Sequence, residues 1–517
     1  MALHYDVIVV GAGTAGAIVA SRLSEDPARS VLLLEAGPDY AGLEALPAKL
    51  RWGYTTAADM TPSDHDWGFV GTATPLAGPL AIFRGKVTGG SSAVNGQIFL
   101  RGIPEDFDAW AAAGNDLWSF ERVLPFYRRL ERDLDFGGQP YHGTAGPIPV
   151  RRFRRDEWLP PQVAFVEACR DLGFPACADF NAPDAEGVGP LPLNNYEGIR
   201  WGTNLGYLDP ARHRLNLTIR PHCLVQQILF DGRRAVGVSV SSGGGLQNVY
   251  GGQVILCAGP VGSPHLLMLS GVGPPEQLRA AGVAVRHPLA GVGQNLRDHP
   301  HVGAAWRPKL GYPMHPDLPR YQVALRATVP GSRLRNDLQI LMVSYATGRV
   351  DRGGDGRTPL GLVLQPVLNL AVGQGEIRLR SDDPTVQPAI DLNLLAESDD
   401  RQRLADGLRL AVRLAGHAAF RDILGERIAP GDQLLDSEAA LDRWLLREVT
   451  HTHHLSGTCK LGPAEDPRAV VDQRGRVHGL ERLRVVDCSV MPNCVRANTN
   501  ATAMLIGERL AALIAEE

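Results

Sequence analysis

The chain is short of lysine. Lys49, Lys86, Lys309 and Lys460 are its four, so arginine supplies nearly all the positive charge. That pattern fits a base-composition bias in the coding sequence and carries no function. A long run of one sign is also missing, and the formal net charge is −4. Neither a nucleic acid nor an acidic membrane surface is therefore an expected partner. The seven cysteines are odd in number and scattered, with no Cys-x-x-Cys pair. This suits reduced thiols in a cytoplasm better than a disulfide framework or a structural zinc site, and a cytoplasmic protein is the expectation. No stretch approaches the roughly 18 uninterrupted apolar residues of a membrane span. The opening "MALHYDVIVVGAG" has no basic stretch before its apolar run, so no cleaved signal peptide is expected.

What is present is an ordinary globular composition, 44% hydrophobic and 21% charged, over 517 residues. That length exceeds what one hydrophobic core usually organises, and two domains are expected.

The first motif follows a β-branched apolar run, Tyr5–Val10. Gly11-Ala12-Gly13-Thr14-Ala15-Gly16 then opens a segment with Ala17, Ala20 and Leu23 at helical spacing. This is G-x-G-x-x-G between a strand and a helix. Gly11 allows the tight turn, Gly13 lets backbone approach a pyrophosphate, and Gly16 lets helix and strand pack closely. Phosphates would sit at the helix N-terminus, where unpaired N–H groups and the dipole favour an anion. A second buried strand, "SVLLLEAG", ends in Glu35, nineteen residues after Gly16. A carboxylate there accepts both ribose hydroxyls and opposes a 2′-phosphate. A dinucleotide is the expected ligand, and this unit alone leaves NAD and FAD open.

Other glycine-rich pieces lie far away: "RGKVTGGSSAVNGQIFLRG" at 84–102, "VILCAGPVGSPHLLMLSGVG" at 254–273, "LAGVGQNLRDH" at 289–299 and "LRVVDCSVMP" at 483–492. In each, glycines bring backbone close to something. A long flat ligand touched along its whole length would require that, which favours FAD.

At these residues the chain resembles the glucose–methanol–choline oxidoreductase family, whose members bind FAD. The resemblance runs from Gly11 to "NTNATAMLIGERLA" at 498–511, with long signatures around Gly89–Arg101 and Ala258–Gly273. It implies an α/β fold: a Rossmann-type FAD-binding domain, discontinuous in sequence, and a smaller α+β substrate domain built on an antiparallel sheet. The FAD-touching segments place the cofactor domain at 1–151, 197–300 and 448–517, and the substrate domain at 152–196 and 301–447. Within the latter, Leu404, Leu408, Ala411, Val412 and Ala415 repeat at helical spacing, and "EIRLR" alternates as a half-buried strand. "HPDLPR" and "DRGGDGRTPLG" read as loops.

By the same resemblance, the backbone at Thr14 and Ala15 holds the pyrophosphate, and Glu35 with Ala36 the adenosine ribose. Asn95, Gly96, Gln97 and Ile98 lie beside the isoalloxazine, Val225 by the adenine, and Asp487 near the ribityl chain. Gly90 and Ala258, inside the two signatures, are cofactor contacts. Some family members attach FAD through a histidine directly before the asparagine at position 95. Val94 stands there, so the flavin is expected to be non-covalent.

The stretch "HTHHLSGTCKLG" at 451–462 packs three histidines into four positions. Neighbours on an extended chain point to opposite sides, so His451, His453, His454 and Cys459 would not converge on a metal, and none is expected. Oxidising an alcohol on a flavin moves a hydride to N5, and the hydroxyl proton needs an acceptor. Neutral imidazole has the right pKa for that. The family's pattern is a histidine three residues before Gly-Thr-Cys, which selects His454 as general base. Its family partner is a histidine or asparagine at the opening of the last helix, read here as Asn500. His453 is expected to line the pocket and His451 to be structural.

The function implied is FAD-dependent oxidation of a primary alcohol to an aldehyde, with O2 or another redox carrier as acceptor. The segment at 133–152 looks most like the bacterial hydroxymethylfurfural-oxidase, alcohol-dehydrogenase and mycofactocin-associated dehydrogenase branches. Two other activities share the fold. Hydroxynitrile lyases keep the flavin without net redox chemistry, and the photodecarboxylase lacks the histidine at the place of His454.

Overall fold

The computed structural model describes residues 4–53, 64–348, 352, 354 and 359–517. The expected loop at 351–361 falls mostly outside them, and its last residues, from Pro359, begin a strand.

The run His4–Val10 is apolar where it must be buried on both faces, as in parallel sheets. It pairs in parallel with Val31–Leu34 on one side and Gly245–Leu256 on the other. Leu217–Arg220 extends the sheet beyond Val31–Leu34, also in parallel. The long strand Gly245–Leu256 carries two neighbours on one edge. Its first half pairs antiparallel with Arg234–Ser242, which leads on to Leu224–Asp231, and its last residues pair in parallel with Leu483–Val485. Seven strands from widely separated stretches of chain thus make one sheet.

The helix Thr14–Leu23 packs against the last helix, Asn500–Ala515. A Cβ at Gly507 would lie 3.1 Å from the Ala15 carbonyl oxygen, so the two backbones approach closely. Buried Glu508 closes this contact with a 2.7 Å ion pair to Arg22 and a 2.7 Å hydrogen bond from Tyr207.

A second sheet is antiparallel throughout. Its main order is Leu424–Ala429, Ala304–Pro308, Pro359–Leu368, Leu338–Thr347, Val323–Ala327 and Gly187–Pro190. The helix Ser398–Ala415 lies on it with Leu404, Leu408 and Ala411 buried and Val412 half-buried, as the spacing predicts. "EIRLR" forms only the three-residue strand Glu376–Arg378, in a separate four-stranded sheet with 389–391, 69–72 and 79–82.

Thr450–His451, expected within the cofactor domain, pairs with Pro300–His301, which in turn joins the second sheet opposite Val367. Both segments must satisfy their backbone groups somewhere, and the end of the strand Pro359–Leu368 offers a partner. The consequence is functional: the histidine motif sits at the seam between the two sheets.

Candidate active site

A cavity of about 1000 Å3 is lined from both sides of that seam, from Val10 and Leu34 of the first sheet to Leu341 and Val363 of the second. The glycines of the fingerprint divide by what surrounds them. Gly11 has φ +97°, and a Cβ there would lie 2.6 Å from the Cys257 carbonyl oxygen. A Cβ at Gly16 would lie 1.9 Å from the Gly11 oxygen. The protein's own backbone demands both. At Gly13 the nearest atom to such a Cβ is 3.9 Å away, so protein packing does not explain the missing side chain. Gly13, Thr14 and Ala15 face the cavity, and the helix they open has no side-chain cap on its N–H groups. That combination fits a pyrophosphate.

Glu35 and Ala36 line the cavity next. The carboxylate of Glu35 accepts from the backbone N–H of Ala12 at 3.0 Å and of Gly37 at 2.8 Å, one on each oxygen. Burial pushes its pKa up to about 7 in spite of those bonds. Each oxygen retains a lone pair for a ribose hydroxyl. Val225 and Cys223 line the adjoining wall, and the Cys223 N–H is tied to the Glu35 carbonyl at 2.8 Å.

The segment at 84–102 is folded down onto the fingerprint. Gly89 donates to the Ala12 carbonyl at 2.7 Å, and a Cβ at Gly90 would lie 2.6 Å from the Gly13 Cα. Beyond it Asn95, Gly96, Gln97 and Ile98 line the cavity, and Val94 stands beside them with no atom able to bond a flavin. Asn95 Oδ1 accepts from the Gln97 N–H at 2.9 Å, and Gln97, at φ +64°, accepts from Asn195 at 2.6 Å. Ala258 and Asp487 complete this side. Asp487 accepts from the Gly259 N–H (2.9 Å), the Ser263 hydroxyl (2.6 Å) and the Ser489 N–H (2.8 Å), which pins the strand end at 485 to the helix opening at 259. Gly16 is the one expected cofactor residue that does not line the cavity.

Across from the flavin-holding side stand the histidines. His451 is buried, with Nδ1 3.1 Å from Asp298 Oδ2 and Nε2 3.2 Å from the Ala81 carbonyl. His453 lines the cavity at φ +62°, its ring against Phe83 at 5.2 Å between centroids. The His454 ring meets three groups. Nδ1 lies 2.7 Å from Thr452 Oγ1 and 2.9 Å from His299 Nδ1, and Nε2 lies 3.2 Å from Asn498 Nδ2. Burial, then His299, holds the His454 pKa well below its ordinary value, with Arg84 adding to the fall and Asp298 opposing it. The ring is neutral at physiological pH.

Asn500 lines the cavity, and its buried Nδ2 has no hydrogen-bond partner among the described residues; Asn498, two residues earlier, is the amide that meets the His454 ring. The last helix begins at Asn500, so Asn498 stands before its first turn. The sequence does not single out Asp298, His299 or Thr452, whose places beside the motif only the fold reveals. Among the described residues, Glu131, Asp133 and His142 are the group close enough to share a metal ion. They do not line the cavity, and Arg101 and Arg152 already supply their counter-charge.

Two family models, both described as GMC oxidoreductase, match residues 5–301 and 371–507. An oxygen-dependent choline dehydrogenase of Klebsiella pneumoniae is 35% identical over 98% of this chain and 95% of its own length. Among solved structures, pyridoxine 4-oxidase from Mesorbium loti superposes with a TM-score of 0.91 at 28% identity, covering 99% of both chains. A formate oxidase of Aspergillus oryzae, studied for FAD modification, superposes with a TM-score of 0.89 at 25% identity, covering 100% of this chain and 99% of its own.

Proposed function

Because the chain belongs to the GMC oxidoreductase family and is an FAD-dependent oxidoreductase, we propose that it oxidises a primary alcohol to an aldehyde with His454 as general base. FAD, when bound, supplies the two-electron acceptor. Gly13, Thr14 and Ala15 would hold its pyrophosphate, Glu35 its ribose, and the segment at 95–98 its ring.

The observation that carries the reading is a neutral, half-buried imidazole facing the cavity beside an amide donor. Asn498 Nδ2 can only donate, so Nε2 presents its lone pair on that side. An alcohol that takes the place of the Asn498 amide at that lone pair gives its hydroxyl proton to Nε2, and the displaced amide can donate to the alcohol oxygen. The wall formed by Ala305, Leu341, Val343 and Val363 is apolar and excludes water from the substrate's carbon skeleton. The choline and pyridoxine named for the two relatives both carry a primary alcohol, which supports the same class here.

Mixing the yellow protein anaerobically with a panel of alcohols tests this. Bleaching of the flavin by a primary alcohol, with the aldehyde as product, is expected. Cleavage of cyanohydrins with no alcohol able to reduce the flavin would overturn it in favour of a lyase. Return of the oxidised spectrum on admitting air would identify O2 as an acceptor.

A further inference from the structure

Asp298 is buried and its two oxygens gather four donors. Oδ1 accepts from the backbone N–H of His299 at 2.7 Å, the N–H of His454 at 3.0 Å and the Thr452 hydroxyl at 3.2 Å, and Oδ2 faces His451 Nδ1 at 3.1 Å. Burial alone would raise its pKa, but the His451 hydrogen bond and the surrounding histidines hold it well below the usual carboxylate range. An anion is thus fixed under the whole motif.

Thr452 Oγ1 lies within reach of three groups: Asp298 Oδ1, the His299 carbonyl at 3.1 Å, and His454 Nδ1 at 2.7 Å. The first two only accept. Once the single hydroxyl proton goes to either of them, Oγ1 turns a lone pair to Nδ1. On the other side of Nδ1 lies His299 Nδ1, at 2.9 Å. Burial pushes the pKa of His299 down to about 4, and its Nε2 has no hydrogen-bond partner among the described residues. The Thr452 oxygen is then the acceptor at His454 Nδ1, and one donor, Asn498, meets Nε2. A single neutral tautomer satisfies both: proton on Nδ1, lone pair on Nε2. The other tautomer sets lone pair against lone pair at Nδ1 and N–H against N–H at Nε2.

We infer that Thr452, with Asp298, is a positioning residue that sets the tautomer of His454, so that the lone pair lies at Nε2 on the cavity side, where an alcohol can take the place of the Asn498 amide, and the Asp298 charge reaches the ring through Thr452. This rests on His454 being the base. In the step served, the alcohol O–H bond breaks and an N–H bond forms at Nε2. The hydrogen of the C–H bond leaves with both of its electrons to the cofactor, and no proton passes along Thr452. The imidazolium so formed is stabilised at Nδ1 by a hydroxyl oxygen that itself leans on a carboxylate. Arg84 and His451, the other charged or titratable groups near the ring, are not altered by the test.

Nitrogen-15 NMR of histidine-labelled holoenzyme reads the tautomer directly, without turnover, with the His454 signal assigned by its loss in His454→Gln. The expected wild-type pattern is a neutral ring protonated at Nδ1. Thr452→Val removes Oγ1 and keeps the shape. It should add the Nε2-protonated form, slow flavin reduction about tenfold or more and move the acid limb of the rate to lower pH, the imidazolium having lost a partner. Thr452→Ser should restore both rate and limb.

A wild-type ring protonated at Nε2 overturns the inference, as does Thr452→Val with the wild-type rate and limb, or a slowed Thr452→Val whose limb does not move. If Thr452→Val does not fold, the wild-type spectrum still decides. His454→Ala separates the two levels. Should it reduce its flavin at the wild-type rate, the proposed function fails. Should it be slow while Thr452→Val is not, only the positioning role fails.

Discussion

Asn498 Nδ2 stands 3.2 Å from Nε2 of His454, and Asn500, at the start of the helix that follows, makes no hydrogen bond to that ring. Asn498→Ala should therefore slow flavin reduction more than Asn500→Ala. Its effect should fall short of adding to that of His454→Ala, because both groups act on one substrate oxygen. Rapid-mixing rates of the single and double variants measure this, and an Asn500→Ala loss larger than that of Asn498→Ala would return the role to Asn500.

His454→Ala should keep its FAD and slow flavin reduction by about 10²-fold or more. The pH dependence has a definite sign. The base works when neutral, and its pKa lies below the ordinary 6.5, so kcat/KM should stay level through neutrality and fall only as the pH drops below that value. A lowered histidine pKa also means that the unfolded chain binds the proton more readily, so stability falls over the same acid window. A limb centred above 6.5 would assign the titration to another group.

Gly13→Ala places its Cβ at ordinary contact distance, 3.9 Å from the nearest protein atom, and occurs at φ −73°, which alanine adopts freely. The apoprotein should fold with an unchanged Tm yet bind FAD weakly. Gly16→Ala drives a Cβ into the Gly11 oxygen and should lower the Tm or prevent folding. Thermal scans with and without added FAD separate the two, and full FAD affinity in Gly13→Ala would remove the pyrophosphate from that corner.

Glu35→Ala should weaken FAD retention by about 1.5–3 kcal/mol for each charge-assisted bond to ribose that is lost. With its pKa raised to about 7, the Glu35 carboxylate is neutralised as the pH falls through that value, so FAD should also leave the wild-type protein more readily below it. Titration of apoprotein with FAD at several pH values checks both; unchanged affinity in the variant would take the ribose from Glu35.

Acid precipitation should release the flavin into the supernatant, since Val94 offers no nucleophile beside Asn95. Yellow colour left in the pellet would show a covalent link formed elsewhere.

The sequence determined the parts whose physics is local. The strand–glycine–helix unit at 5–23, the buried carboxylate nineteen residues on and the helical spacing at 404–415 could be read directly, because a close backbone approach or a buried face dictates residue type within a few positions. The resemblance carried the family, the fold and FAD. The partners of His454 were decided only by the tertiary structure. Asp298 and His299 lie about 150 residues before the motif they hold, and they meet it because Pro300–His301 pairs with Thr450–His451. Nothing within either segment encodes that pairing. Which of Asn498 and Asn500 meets the ring likewise shows only in the folded chain, where the last helix starts at Asn500 and leaves Asn498 before it. The resemblance pointed to His454 as the base, but the carboxylate and the hydroxyl beside its ring are brought together only by the folded chain.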